Sequence, residues 1–310
     1  MIGEKIGRPG PPASSQTNHL LGYPPEARLL ILNADDFGMC QSINQAIMNT
    51  LQAGVVRSTS LMVPCPWALH AMRFLQDHPE ISFAIHLTAI WDADDYTWGP
   101  LTCREQVPAL VDQGGRFHTM NSFPARLDQA ALAQLEVEFR AQIEVVLATG
   151  LQPTHLDWHS LRLDRYPPVY DLLLGLARKS GLALRITGDV MRQKVRRLGL
   201  PCNDHDLLDS FSLDPVHKAA RYAQLLHDLP TGLSEWAVHP GLDTPELLAL
   251  EPDGNHVRQA DYDFWTSPQA KELVQQEGII LLDYRALQVI WAKGWGHLPD
   301  PPVQAHATND

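Results

Sequence analysis

The chain is poor in the features that mark secreted, membrane-spanning and nucleic-acid-binding proteins. Its 310 residues include only four cysteines, Cys40, Cys65, Cys103 and Cys202, and no two form a C-x-x-C pair. That spacing offers neither a disulfide framework nor a thiolate zinc site, so reduced cysteines in a cytoplasmic protein are expected. No apolar run approaches the roughly 20 residues a membrane helix needs. The first 26 residues lack the apolar centre of a signal peptide. Positive charge is scarce: 24 Lys and Arg face 36 Asp and Glu, a formal charge of -12. This balance argues against a nucleic-acid backbone or an anionic membrane as main partner, and leaves a neutral substrate or a cation.

What remains is an ordinary globular composition, 45% hydrophobic and 19% charged, long enough for one large α/β domain. Residues 1–26 are rich in Gly, Pro and polar residues and read as a flexible lead-in; 296–310 read as a loose tail. The domain is expected over 27–295. Within it, strand and helix patterns alternate. Strands are predicted at 29–33, 55–63, 81–87, 154–161, 182–186, 236–239 and 279–282. Helices are predicted at 42–53, 68–76, 127–149, 169–179, 219–227 and 268–277. The stretch 192–212 has no clear period, and 88–124 is a long excursion carrying Trp91 and Trp98. Such alternation predicts a parallel sheet, best closed as a distorted, TIM-like β/α barrel, with an open doubly wound sheet as second choice.

Polar residues gather where the apolar runs stop. Leu29-Leu30-Ile31-Leu32 runs into Asp35 and Asp36; Phe83-Ala84-Ile85 ends at His86; Trp236-Ala237-Val238 ends at His239. His155, Asp157 and His159 alternate, which puts all three on one face of an extended strand. Taken singly each is ordinary: Asp-Asp-Phe-Gly suits a helix N-cap and His-Pro-Gly a turn. Together, at the C-terminal ends of buried strands, they amount to carboxylate plus imidazoles. That set holds zinc or another divalent metal and leaves room for water and substrate. Adjacent carboxylates cannot both do the same work, so Asp35 and Asp36 are expected to divide metal binding from proton transfer.

With these residues the chain resembles the YdjC/ChbG family of carbohydrate deacetylases. The resemblance runs through Asn33-Ala34-Asp35-Asp36-Phe37-Gly38, the stretch 54–60, Ile85-His86-Leu87, 110–117, Pro153-Thr154-His155-Leu156-Asp157-Trp158-His159, and 229–235 leading into His239-Pro240-Gly241. It implies a β/α barrel that removes acetyl groups from N-acetylated amino sugars such as small chitin fragments. It also implies Asp36, His86 and His159 as metal ligands, Asp35 as base and His239 as the second catalytic histidine. Two departures stand out. Ser160, Leu161, Arg162 and Leu163 follow His159 where the family carries further histidines, and Trp158 stands where a small serine is usual.

The implied reaction is hydrolysis of an acetamide by metal-activated water. Asp157 or Glu235 would orient a histidine, His155 would lend local support, and Arg185 would neutralise the acid cluster. Trp91 or Trp98 could stack on a sugar. Zinc is favoured, with magnesium or manganese as alternatives. The partner is a small N-acetylated sugar, with no nucleic acid and no membrane, and a homo-oligomer is compatible with the chain. The competing readings are another metal hydrolase, for phosphoesters or cyclic amides, and a non-catalytic sugar-binding homologue.

Overall fold

A computed structural model describes residues 15–91, 96–160 and 166–295. The predicted tail, and the residues 161–163 in which the chain departs from the family pattern, lie outside them. The centre of the fold is β1, Arg28–Phe37, whose apolar run is buried on both faces as a central parallel strand must be. It pairs along most of its length with β9, Gly232–Val238. Its other edge is shared. Leu29–Ile31 pair with β10, Ile280–Leu282, and Asn33–Phe37 with β2, Ser58–Leu61.

The sheet continues through β3, Ser82–Leu87, β6, His155–Trp158, and β7, Ala183–Leu184; beyond β9 lies β8, Leu208–Asp209. Every pairing in this eight-stranded sheet is parallel, and helices follow the strands as predicted. The sheet curls into a half-barrel. Its end strands β7 and β8 do not pair with each other among the described residues. No helix among these residues is long and apolar enough to cross a membrane.

Register brings the strand ends level. Ala34 lies beside Val238, Leu61 beside Ile85, and His86 beside Asp157. The side chains expected to carry chemistry therefore project from one end of the sheet. A local irregularity is needed as well. Successive residues of a regular strand face opposite ways, so Asp35 and Asp36 would be separated. The β1–β2 register shifts between Ala34 and Phe37, and Asp36 takes a left-handed φ of 74°. This bulge turns both carboxylates into the same polar interior. Gly38 follows with φ 103°, and a Cβ there would lie 3.1 Å from Ala68 Cα, so the chain can turn into α2, Gln41–Ala53, only with glycine at this point.

Three parts of the fold differ from the sequence reading. Part of the lead-in is structured: α1, Gln16–Leu21, is capped by the Ser15 hydroxyl, and buried Thr17 donates to the Cys202 carbonyl at 2.6 Å. The excursion, to which the sequence reading assigned no element, is packed down over its described residues 88–91 and 96–124. It is held by α4, Gln129–Ala148, whose Gln142 bonds both the N–H and the C=O of Thr88, while buried Glu138 accepts from the N–H groups of Leu101 and Thr102. Finally, 243–265 contains two helices that hydrophobic period alone did not reveal. With the chain's α3, α5, α6 and α7 at Ala68–Asp77, Pro167–Ser180, Asp189–Arg197 and Lys218–His227, these are α8, Pro245–Leu250, and α9, Asn255–Trp265.

Candidate active site

Asp36, His86 and His159 come together with ligand-capable atoms within 4.8 Å of one another, and all three are buried. Asp36 Oδ1 lies 3.2 Å from His159 Nδ1 and 3.5 Å from His86 Nε2. Asp157 holds the other nitrogen of His86, Nδ1, at 2.7 Å. A carboxylate behind an imidazole fixes the ring and its tautomer, so Nε2 is the atom presented to Asp36. The Ser60 hydroxyl in turn holds Asp157. Burial opposes charge on His86, but the field of Asp157 and bonds to Asp157 and Asp36 outweigh it and raise the ring's pKa to about 9. Burial likewise opposes charge on Asp36, yet Arg258 and the two histidines keep its carboxyl well below the ordinary range.

Asp35 lies beside this set, and with His86 and Asp157 it forms a second group whose ligand-capable atoms fall within 4.8 Å of one another. Arg185 grips Asp35 with two bonds, Nη1 to Oδ2 at 2.7 Å and Nη2 to Oδ1 at 2.9 Å, and Asn33 donates to Oδ1 at 2.6 Å. Despite burial, the guanidinium holds this carboxyl below its usual range, so it stays ionised. Arg185 also lies 3.0 Å from Asp157 and 2.7 Å from Glu235. One arginine thus compensates three buried acids, the neutralising role expected from sequence.

Replacing it with methionine would strand those acids. We predict a loss of ~3–5 kcal/mol in urea unfolding, since breaking a buried ion pair costs that much. A change below about 1 kcal/mol would mean that Arg185 does not hold the cluster together.

The remaining candidates fall into place unevenly. Glu235 touches Arg185 and accepts from the Tyr284 hydroxyl at 2.6 Å, rather than orienting a histidine. His155 stacks on Tyr284 with ring centroids 3.5 Å apart and bonds Thr154; burial pushes its pKa down to about 3, so it is a neutral packing group. Trp98 is only 4% exposed and sits edge-on against His159, its indole N–H committed to the Ile90 carbonyl. It backs a ring of the cluster instead of offering a face to a sugar. Trp158 points the other way and packs on Tyr170 of α5. His239 stands at the margin. Its Nδ1 meets the Ser210 hydroxyl at 2.9 Å, its ring lies edge-on to Phe211, and Asp261 fixes its backbone N–H at 2.7 Å.

Sequence reasoning missed Arg258. From the first turn of α9 its Nη2 reaches Asp36 Oδ2 at 2.8 Å, while Nε and Nη2 clasp Glu251. The available signal was an arginine sharing a helix face with Asp261 and Trp265, three and seven residues on, where burial is expected.

Comparison with known proteins places the chain in a family. The family model described as "YdjC-like protein" matches residues 29–276. The chain belongs to the YdjC-like family. A carbohydrate deacetylase of Thermoanaerobacter pseudethanolicus is 30% identical over 84% of this chain and 100% of its own length. A chitooligosaccharide deacetylase of Serratia marcescens is 26% identical over 84% and 99%. Among solved structures, a candidate cellobiose-phosphate cleavage protein of Enterococcus faecalis superposes with a TM-score of 0.71 at 26% identity, covering 84% of this chain and 99% of its own. The YdjC-like match includes every strand of the half-barrel except the last.

Proposed function

We propose that this YdjC-like protein is a metal-dependent carbohydrate deacetylase that hydrolyses the acetamide of an N-acetylated amino sugar or short oligosaccharide. The observation that carries the reading is the pairing of a buried Asp36–His86–His159 set with a second carboxylate, Asp35, held just outside it. The donor set fits a divalent cation. It combines one carboxylate and two imidazoles, and the His86 ring is already oriented by Asp157. Asp36, His86 and His159 would hold the ion, zinc being favoured by the two imidazoles. When bound, it would supply Lewis acidity toward the acetyl carbonyl and lower the pKa of a coordinated water.

The chain's own residues supply the proton transfers. Asp35, ionised and fixed by Arg185, accepts the proton of the attacking water as its oxygen bonds the acetyl carbon. His239, with Nδ1 turned to Ser210, offers a proton to the nitrogen as the C–N bond breaks, releasing acetate and a free amine. A phosphoester substrate is less well served. The guanidinium of Arg185 is already shared among Asp35, Asp157 and Glu235.

Acetate release from N-acetylglucosamine oligomers, with and without a chelator, tests this function. Chelator-sensitive release is expected; metal binding without release from any N-acetyl sugar would favour another hydrolase. A pH effect follows as well. With its pKa raised to about 9, His86 carries a proton at neutral pH in the metal-free protein, and a cation must displace it. Apparent metal affinity should therefore climb about tenfold per pH unit up to that pKa. Competition against a chelator at several pH values would show the slope, and a flat profile would contradict the assignment of His86.

A further inference from the structure

We propose that Arg258 contacts the substrate, its Nη1 donating to the acetyl oxygen as that oxygen gains negative charge. The inference deepens the deacetylase reading and rests on it.

The Arg258 guanidinium is only partly committed. Glu251 accepts from Nε at 2.6 Å and from Nη2 at 2.9 Å, taking one edge of the planar fork. The other Nη2 hydrogen goes to Asp36 Oδ2 at 2.8 Å. In a planar guanidinium the neighbouring hydrogen on Nη1 runs parallel to that bond. It is therefore aimed alongside the Asp36 carboxylate, whose other oxygen lies against His86 and His159. Nη1 is buried and has no hydrogen-bond partner among the described residues. Buried donors are almost always satisfied, so an unmet one beside a reactive cluster marks a place for a ligand atom.

The surroundings hold Arg258 in this pose. Phe211 covers it, with the guanidinium carbon 4.9 Å from the ring centroid, and the same ring touches His239. Gly241 lets the helix approach: a Cβ there would come within 2.9 Å of Arg258 Cβ. Its N–H also bonds the Arg258 carbonyl at 3.1 Å. The His239-Pro240-Gly241 turn thus sets the proposed acid and this donor together. If Arg258 served only to lock Asp36, Nη2 alone would suffice. A preformed donor that strengthens as charge develops is the usual means of stabilising an oxyanion.

The test compares wild type with Arg258→Lys and Arg258→Met on N,N′-diacetylchitobiose and its N-trifluoroacetyl counterpart, with metal content and melting temperature measured alongside. On the acetyl substrate kcat should fall about 10²–10³-fold, as for loss of one oxyanion donor. KM should stay within about threefold, the pattern of an interaction made in the transition state. The trifluoromethyl group already stabilises the oxyanion, so on that substrate the loss should shrink to less than about tenfold. Equal losses on both substrates, or losses that track metal content or melting temperature, would overturn the proposal and leave Arg258 a structural brace. A wild-type protein that deacylates neither substrate would instead overturn the deacetylase reading, and this inference with it.

Discussion

Replacing Asp36 with asparagine is expected to remove the bound cation and reduce acetate release by about 10³-fold or more, the scale of a metal ion's contribution to charge stabilisation. Asparagine is the informative choice. Asp36 sits at φ 74°, where asparagine is tolerated but alanine adds backbone strain of its own. The variant keeps the shape of the side chain and removes its charge. Arg258 would retain Glu251, so the fold should survive. Metal analysis after dialysis, with a melting curve to confirm folding, measures the effect. Full metal content in folded Asp36→Asn protein would remove Asp36 from the ligand set.

Asp35→Asn should separate the two carboxylates' roles. Metal content should be unchanged while kcat falls about 10²–10⁴-fold, the range for a general base. The physical basis is that Asp35 faces Arg185 and Asn33, whereas the two imidazoles and Arg258 face Asp36. The substitution keeps an oxygen for Arg185, which still has Asp157 and Glu235. Burial and the guanidinium act oppositely on the Asp35 carboxyl, and the guanidinium prevails. A carboxylate so stabilised is a modest base, but it is ionised at any neutral pH. Near-normal turnover by Asp35→Asn protein would move the base elsewhere, with Asp157 the nearest alternative.

The sign of acid sensitivity follows from the same groups. Asp35, Asp36 and Asp157 all have folded-state pKa values below the ordinary carboxylate range. Their contribution to stability is therefore present above the unfolded value near 4 and is lost as pH falls through the lowered folded values.

Much of this site was legible in the sequence because strand ends are legible. An apolar run that stops at Asp35-Asp36, or at His86, fixes which end of a buried strand is polar, and parallel pairing then brings those ends level. The alternation His155-Leu156-Asp157-Trp158-His159 separates the faces: Asp157 and His159 reach His86 and Asp36, while Trp158 packs on Tyr170 on the other side. What escaped was non-local or irregular. Nothing in the string Asn33-Ala34-Asp35-Asp36 reveals the bulge that points adjacent carboxylates the same way. Arg258 escaped because α9 carries a charged residue on its buried face, which blurs the apolar period used to find helices. For Trp98 the sequence left a sugar-facing and a supporting position both open, since an indole suits a sugar face and a packed loop equally well; it packs edge-on behind His159. The docked helix at 16–21 was hidden by its polar composition; it is held by Thr17 and Asn18, which bond backbone carbonyls rather than pack apolar surface.

The most direct measurement is anomalous diffraction from crystals grown with zinc or manganese. A single strong peak bounded by Asp36 Oδ1, His86 Nε2 and the His159 ring, with Asp35 still on Arg185 and outside bonding distance, is the predicted map. Peaks only at other positions, or a peak that draws Asp35 in as a ligand, would contradict the division of work between the two aspartates.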